Sequence, residues 1–158
     1  PGLLSAGALV LGFVDDSYWL DLGTPAAFVQ GSADLVRGIA PSPALPGPVG
    51  DSLVLDPSAV SEHAAVIGGS CIGHGVRIED GATVDSSVVF DGAVIEEGAT
   101  VHASVIGRGA RVGAGSRLSG VVLGDRVDIG AGNELLDGAR VWPGAVVAAA
   151  SIRFSSDE

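Results

Sequence analysis

The chain contains no lysine and no methionine, and it has a single cysteine among 158 residues. All eight basic residues are therefore arginine, and 19 acidic residues give the chain a formal net charge of −11. An acidic chain without a basic run is unsuited to nucleic acid or to an anionic membrane surface, so we expect neither partner. Cys71 has no second cysteine to pair with inside the chain, which favours a reducing compartment and predicts a cytoplasmic location.

Long apolar runs are absent as well. No run approaches the roughly 20 residues that span a bilayer, and the sequence shows no signal-peptide pattern. The chain starts at Pro1 without an initiator methionine, and apolar residues follow at once. We interpret the chain as a piece of a longer protein.

The most regular feature of the sequence is a repeat of 17 residues that begins at Ile72. Aliphatic residues recur in steps of six, six and five residues, three times over. Glycine keeps the same period at Gly81, Gly98, Gly115 and Gly132. A fixed period with one aliphatic residue per hexad predicts a three-sided solenoid, whose coils bury their apolar residues only when they are stacked.

The repeat predicts three columns of inward aliphatic side chains. They are Ile72, Val89, Ile106 and Leu123; Ile78, Ile95, Val112, Ile129 and Val146; and Val84, Val101, Leu118 and Leu135. Plain six-residue steps extend the pattern to Val54 and to Val147, which gives five complete coils and a partial sixth. At ~4.8 Å per coil the stack is expected to be about 25 Å tall. We expect the recurring glycines at corners with positive φ, and each five-residue step at a tightened corner.

The first forty residues do not follow the repeat. The apolar residues 9–14 predict a strand. Thr24 and Pro25 predict the start of a helix that runs to Arg37, because threonine caps helices well and proline suits the first helical position. A stretch rich in proline and glycine then predicts a linker. The expected organisation is an α/β fragment, a linker, a solenoid and a tail, at residues 1–39, 40–52, 53–150 and 151–158.

The hexads have the form [LIV]-G-x-[GA]-x, as in IGHGVR and IGRGAR. They resemble the left-handed parallel β-helix of hexapeptide-repeat proteins. Left-handed crossover is the rare hand for parallel strands, so the hand is implied by the resemblance alone. We therefore expect a mainly β protein, with a left-handed parallel β-helix of about five to six coils preceded by a small α/β fragment.

The residues before the linker carry a second resemblance. The sequence YWLDLGTP and the helix after it resemble the end of the catalytic domain in sugar-phosphate nucleotidyltransferases. Together with the hexads and the closing WPG and IRFSSD, they make the whole chain similar to the C-terminal part of bacterial mannose-1-phosphate guanylyltransferases, also called GDP-mannose pyrophosphorylases. The lysine-free, alanine- and glycine-rich composition is also typical of a GC-rich bacterial gene. The resemblance implies an enzyme acting on a sugar-1-phosphate and a nucleoside triphosphate, with a β-helix that serves homo-oligomerisation or regulation.

The same resemblance implies roles for three residues. Asp21 matches the aspartate that helps to bind the catalytic Mg²⁺, and Gly23 and Thr24 match positions near the sugar-phosphate site. A divalent ion held by carboxylates neutralises phosphate oxygens while the sugar phosphate attacks the α-phosphate of the nucleotide. The family's glycine-rich nucleotide loop and its second metal-binding aspartate do not occur in this sequence. We therefore assign no catalytic residue and expect the chain alone to be inactive.

Other functions are compatible with the hexads. A nucleotidyltransferase for glucose-1-phosphate or N-acetylglucosamine-1-phosphate would share the motif, and a scaffold would need no site. Acyltransferases of this fold use a histidine base, and carbonic anhydrases of this fold share three zinc-binding histidines between subunits. The histidines of this chain are His63, His74 and His102. We interpret each as a surface residue, because their spacing gives no close pair and His102 falls at an outward corner.

The remaining unusual residues are interpreted as structural. Acidic residues stack in successive coils, Glu79 on Glu96 and Asp80 on Glu97, and predict a hydrated acidic face. Cys71 is expected to be a small buried or corner residue without a lowered pKa. Trp142 and Pro143, joined by Phe154, are expected to cover the C-terminal end of the helix, which would otherwise expose an unpaired edge.

Overall fold

The computed structural model describes residues 2–45 and 47–153, and it shows a parallel β-solenoid preceded by a helical segment. Within these residues sixteen short strands form three parallel sheets of six, five and five strands, one on each side of the solenoid. The chain visits the three sheets in turn, so that about six coils are stacked along the axis. The expected mainly β solenoid is confirmed. Among the described residues, no helix is both long enough and apolar enough to cross a membrane.

From β2 onward each sheet takes every third strand of the chain, and β1 pairs with β3. The first sheet contains β1 (Leu53–Val54), β3 (Cys71–Ile72), β6 (Val88–Val89), β9 (Val105–Ile106), β12 (Val122–Leu123) and β15 (Arg140–Val141). The second contains β4 (Arg77–Ile78), β7 (Val94–Ile95), β10 (Arg111–Val112), β13 (Asp128–Ile129) and β16 (Val146–Val147). The third contains β2 (Ala65–Ile67), β5 (Thr83–Asp85), β8 (Thr100–His102), β11 (Arg117–Ser119) and β14 (Glu134–Leu135). The helices are α1 (Gly2–Ser5) and α2 (Pro25–Val36), and a 3₁₀ turn spans Pro57–Ala59.

The inward aliphatic columns form the core, as predicted. Aliphatic residues lie opposite one another in all three sheets, as in the pairs Val89–Ile106, Ile95–Val112 and Leu118–Leu135. These side chains are at most 2% exposed. Each fully buried aliphatic side chain contributes roughly 1.5–3 kcal/mol, so the stacked columns are the main source of stability in the solenoid.

The end of the second column was predicted in two ways, as Val146 from the column and as Val147 from the six-residue steps, and Val147 is the inward residue. Val147 pairs with Ile129 and packs against the core, whereas Val146 pairs with Asp128 and is 74% exposed. The cause is the return to plain six-residue steps after Leu135. The additional corner residue in this last coil moves the inward position from 146 to 147.

The corners use left-handed backbone at the predicted places. The recurring glycines have φ values of 68°, 65°, 63° and 67° at Gly81, Gly98, Gly115 and Gly132. Each five-residue step also contains one residue in this conformation, namely Ser86, Ala103 or Gly120, with φ of 48°, 47° and 67°. A non-glycine residue in this conformation costs roughly 1–2 kcal/mol. The backbone at Ser86 and Ala103 is therefore strained, and the tightened corner keeps its shape there in spite of that cost.

A ladder of buried serines supports the tightened corner, and the sequence analysis did not anticipate it. Ser70, Ser87 and Ser104 are at most 1% exposed and stack in successive coils. The Oγ of each serine accepts a hydrogen bond from the backbone N–H one coil further on, at 3.0–3.1 Å. Each hydroxyl also donates to a carbonyl of its own corner, as Ser104 does to His102 at 2.6 Å. Polar backbone atoms at the corner are thereby paired without water.

The strand predicted at residues 9–14 is wrong. This segment has no regular secondary structure, and Leu9 and Phe13 are 84% and 91% exposed. A strand needs a neighbour to accept its backbone hydrogen bonds, and no described residue pairs with this segment. Its apolar composition alone was therefore not sufficient to form a strand.

The predicted helix is present and lies against the first sheet. Helix α2 begins after Thr24, whose Oγ1 accepts a hydrogen bond from the backbone N–H of Ala27 at 3.1 Å. One face of the helix packs on the solenoid near β3. Phe28 stacks on Phe90 with ring centroids 6.4 Å apart, and Ala33 lies against Gly69 so closely that a Cβ at residue 69 would clash with it. The solenoid and helix α2 therefore share an apolar interface.

Trp142 does not cover the C-terminal end as expected. Its side chain is 83% exposed, because it occupies the outward corner position that follows the inward Val141. The end is covered instead by Ile152, which packs against the core. Asn133 holds that segment in place, since its Oδ1 accepts hydrogen bonds from the backbone of residues 151 and 152 at 2.9 Å. Phe154, expected beside Trp142, lies outside the described residues.

We predict that Gly107→Ala destabilises the chain by about 3 kcal/mol, since overpacking against backbone cannot relax easily. A Cβ at residue 107 would lie 2.5 Å from the carbonyl carbon of Gly124 and 2.7 Å from the nitrogen of Asp125. Urea denaturation would measure the loss. Gly98→Ala is the control, because its added Cβ meets open space and only the φ of 65° opposes it, at a cost of about 1 kcal/mol. If Gly107→Ala and Gly98→Ala lost the same free energy of unfolding, close contact between coils would not be the reason for glycine at residue 107.

We predict that Ser104→Ala destabilises the chain by roughly 1–3 kcal/mol, because it leaves a buried backbone N–H without its hydrogen-bond partner. The group concerned is the N–H of Val121, since the carbonyl of His102 still accepts a hydrogen bond from the N–H of Gly120 at 3.0 Å. The free energy of unfolding from urea titration is the measurement. Ser119→Ala, on the half-buried outer side of β11, is the control and should change stability little. A neutral Ser104→Ala would show that the ladder is dispensable.

Candidate functional site

Asp21 lies on an exposed turn immediately before helix α2. Its Oδ1 accepts a hydrogen bond from the backbone N–H of Gly23 at 3.0 Å. A Cβ at residue 23 would lie 3.2 Å from the same oxygen, so glycine leaves room for the carboxylate to fold over the turn. Thr24 follows directly as the N-cap of the helix. The three residues singled out in the sequence, Asp21, Gly23 and Thr24, are therefore parts of one short structural unit.

The turn of Asp21 offers a limited set of donors for a metal ion. Within the described residues no group of three or more His, Cys, Asp or Glu side chains comes together to hold a metal ion. Asp21 supplies one exposed carboxylate, and its Oδ2 has no hydrogen-bond partner among those residues. Mg²⁺ is commonly held by one or two carboxylates together with water and substrate phosphates. Asp21 therefore fits one ligand position of such a site, and its metal role stays a prediction, as does substrate binding by Gly23 and Thr24.

Helix α2 carries a polar cluster that the sequence analysis missed. Asp34 is only 7% exposed. Its Oδ2 accepts a hydrogen bond from the hydroxyl of Tyr18 at 2.7 Å, and its Oδ1 accepts one from Nε2 of Gln30 at 2.7 Å. The hydrogen bond to Asp34 raises the pKa of Tyr18 above its usual value. The sequence did contain a signal for this cluster. Asp34 falls on the apolar side of the predicted helix, four residues after Gln30, where a charged side chain needs a partner.

The three histidines are dispersed over the surface of the solenoid. Each lies beside a different aspartate, in the pairs His63–Asp80 at 3.8 Å, His74–Asp56 at 3.5 Å and His102–Asp85 at 3.1 Å. All three side chains are at least half exposed. The column headed by His74 is also connected between coils, since the backbone N–H of His74 donates to Asp91 and that of Arg108 donates to Asp125. Within the described part of one chain, the histidines thus act as surface partners of carboxylates.

Two of the stacked acidic residues, Glu79 and Glu96, have hydrogen-bond partners on the solenoid. Glu96 accepts a hydrogen bond from Arg111 at 2.8 Å and another from the backbone N–H of Ala114 at 2.9 Å. The hydrogen bond from Arg111 is the main reason why the pKa of Glu96 lies below its usual value. Glu79 accepts from the backbone N–H of Glu97 at 3.3 Å. These contacts connect the acidic face between coils, and among the described residues no three His, Cys, Asp or Glu side chains come together there to hold a metal ion.

Cys71 lies in the interface between the first sheet and helix α2. Its Sγ is 3.8 Å from the backbone oxygen of Ser32 and 3.8 Å from that of Gly69. Burial raises the pKa of the thiol above its usual value. A thiol with a raised pKa is a poor nucleophile at neutral pH, which agrees with the expectation of a structural cysteine.

Comparison with known proteins supports the resemblance over nearly the whole chain. Over 158 residues, 99% of this chain, the sequence is 58% identical to a mannose-1-phosphate guanylyltransferase of Mycobacterium tuberculosis. The match covers 44% of that relative, so the chain spans less than half the length of the curated protein it matches. Residues 49–153, which include all the strands described above, match the model of the family described as GMPPB C-terminal domain. The chain belongs to the family of GMPPB C-terminal domains.

Proposed function

We propose that this chain is the C-terminal portion of a mannose-1-phosphate guanylyltransferase, which converts mannose-1-phosphate and GTP to GDP-mannose and pyrophosphate in the cytoplasm. The observation that carries the proposal is the 58% identity to a protein of that name over 99% of the chain. Because the match covers 99% of the chain, it extends over the WLDLGTP turn, which precedes the matched family domain, as well as over the solenoid.

In this proposal Asp21 supplies one carboxylate to the catalytic Mg²⁺. When bound, the ion would neutralise charge on the phosphate oxygens during attack of the sugar phosphate on the α-phosphate. The structural support is that Asp21 is exposed and that one of its carboxylate oxygens has no partner among residues 2–45 and 47–153, while the other oxygen fixes the turn through Gly23. The remaining ligands, and the nucleotide-binding loop, would come from the part of the enzyme that precedes this chain.

The proposed role of the solenoid is to join copies of the enzyme. The outer face of the first sheet supports it, because the outward residues of its strands are apolar until the last coil: Leu53, Cys71, Val88, Val105 and Val122. The corresponding residues of the second sheet include Arg77, Arg111 and Asp128. Helix α2 packs on the N-terminal part of the apolar face, near β3. The half-buried Val105 and Val122 continue that face and are our candidate contact with a second copy.

We predict that Asp21→Asn, made in the complete enzyme, lowers kcat at least about 100-fold, because even residues that only support metal ligands cost 10–100-fold when they are changed. Asparagine keeps an oxygen for the N–H of Gly23 and removes only the negative charge, so the thermal midpoint should not change. Pyrophosphate release from GTP and mannose-1-phosphate is the assay.

Asp16→Asn is the matched control for this substitution, since Asp16 is another exposed aspartate of the same segment. It should retain wild-type activity. An Asp21→Asn enzyme that is as active as the control would exclude the metal role. A wild-type enzyme that releases pyrophosphate only from a different sugar phosphate and nucleotide would refute the proposed specificity while leaving the reaction class intact.

We predict that the chain forms homo-oligomers, so that light scattering coupled to gel filtration gives a multiple of 15.6 kDa. Val105→Arg should lower that mass, because an arginine on the apolar face would be desolvated in the contact. Thr100→Arg, on the exposed outer side of β8, is the control and should leave the mass unchanged. A monomeric wild-type chain would refute assembly through the solenoid alone.

A further inference from the structure

The segment that carries Asp21 lies along helix α2 and presents alternate side chains to it. The Cδ2 atoms of Leu20 and Leu22 lie close to Gly31, where an added Cβ would be 3.2 and 2.8 Å from them. Trp19 is 82% exposed, and Asp21 is exposed as well. Successive side chains of an extended backbone point to opposite sides. The contacts of the two leucines with the helix therefore direct Asp21 away from it.

Both ends of this segment are attached to the same helix by hydrogen bonds. At one end, the hydroxyl of Tyr18 donates to Asp34. At the other end, Thr24 caps the helix through the N–H of Ala27. Asp21 lies between these two attachment points, three residues from each. The position of Asp21 is thus determined by helix α2 and by the two hydrogen bonds that attach residues 18 and 24 to this helix.

Asp34 is the point at which these connections converge. Both of its carboxylate oxygens are used, one by Tyr18 of the motif segment and one by Gln30 of its own helix. Its backbone oxygen accepts hydrogen bonds from the N–H groups of Ile39 and Ala40, at 2.8 and 3.1 Å. One buried residue therefore ties the motif segment, the helix and the start of the connection to the solenoid together.

The helix itself has little freedom to move, because its opposite face is packed on the solenoid. Phe28 stacks on Phe90, and Ala33 fills the space above Gly69. Val29 and Val36 are buried as well. Asp21 is therefore held in place relative to the solenoid by helix α2 and by the hydrogen bond between Asp34 and Tyr18.

We propose that Asp34 is a positioning residue, which holds the turn of Asp21 in a metal-binding geometry through its hydrogen bond with Tyr18. The inference rests on the proposed function for the identity of the metal site. It adds that the buried carboxylate of Asp34, on helix α2 and outside the proposed metal site, sets the affinity of that site for its cation.

The two hydrogen bonds to Asp34 provide a matched pair of variants. Tyr18→Phe removes the bond that reaches the motif segment, and Gln30→Met removes the bond within the helix. Each variant leaves the same carboxylate with one neutral donor and nearly conserves the shape of the side chain. A purely structural role of Asp34 would make the two variants equivalent, whereas a positioning role makes only Tyr18→Phe affect Asp21.

The first measurement uses the complete enzyme without metal. Hydrogen exchange, followed by mass spectrometry, should be faster at residues 18–24 in Tyr18→Phe than in the wild type, and unchanged there in Gln30→Met. The second measurement is Mn²⁺ binding by electron paramagnetic resonance, with Mn²⁺ as the probe ion. Tyr18→Phe should weaken Mn²⁺ binding by about tenfold, the effect typical of losing support behind a metal ligand, and Gln30→Met should bind Mn²⁺ as the wild type does.

Each result decides between the alternatives. Faster exchange together with weaker Mn²⁺ binding, in Tyr18→Phe only, supports the positioning role. Unchanged exchange, equal effects of the two variants, or faster exchange with unchanged Mn²⁺ binding would overturn it. A wild-type enzyme that binds no Mn²⁺ at all would refute the proposed metal site itself, and the role of Asp34 toward it. That result is distinct from a failure confined to the variants.

Discussion

The inward aliphatic side chains of one coil can be shielded from water only by the coils stacked on either side of it. Each strand has just two or three residues, too few to form a stable unit alone, and all its backbone partners lie in neighbouring coils. Stability is therefore a property of the stack. This requirement explains why the in-register pairing of residues 17 or 18 apart is kept so strictly from Val54 to Val141.

The same stacking constrains the corners, where the backbone turns and its polar atoms would otherwise be buried without partners. Glycines with positive φ allow the turn, and the ladder of Ser70, Ser87 and Ser104 pairs the buried N–H groups. Charged residues outside the corners are engaged in a similar way, as Glu96 is by Arg111. In the described part of the chain no three His, Cys, Asp or Glu side chains converge on a metal-sized site, which agrees with the proposed structural role of the solenoid.

The repeat made the architecture predictable, because its period of 17 residues states which side chains meet. Prediction failed where the period stops. The column of the repeat put Val146 inside, because it took no account of the additional residue at the last corner. The strand at residues 9–14 was predicted from apolar composition alone, and no described strand pairs with that segment. Asp21 was identified by resemblance, since an exposed aspartate on a turn has no distinctive spacing of its own. The contact of Tyr18 with Asp34 could not be foreseen, because it joins an irregular segment to a helix without any periodic relation between them.

Helix α2 connects these two kinds of structure, and its two faces differ accordingly. The face with Phe28 and Ala33 meets a sheet whose position is set by hydrogen bonds to neighbouring coils, while Gly31 and Asp34 contact the irregular segment around Asp21. A turn that is attached to a rigid stack through a capped helix loses less conformational freedom when it binds a ligand than a free loop would. The solenoid is thus suited to reduce the entropic cost of ordering the proposed metal site, even though none of its own side chains reaches that site in the described structure.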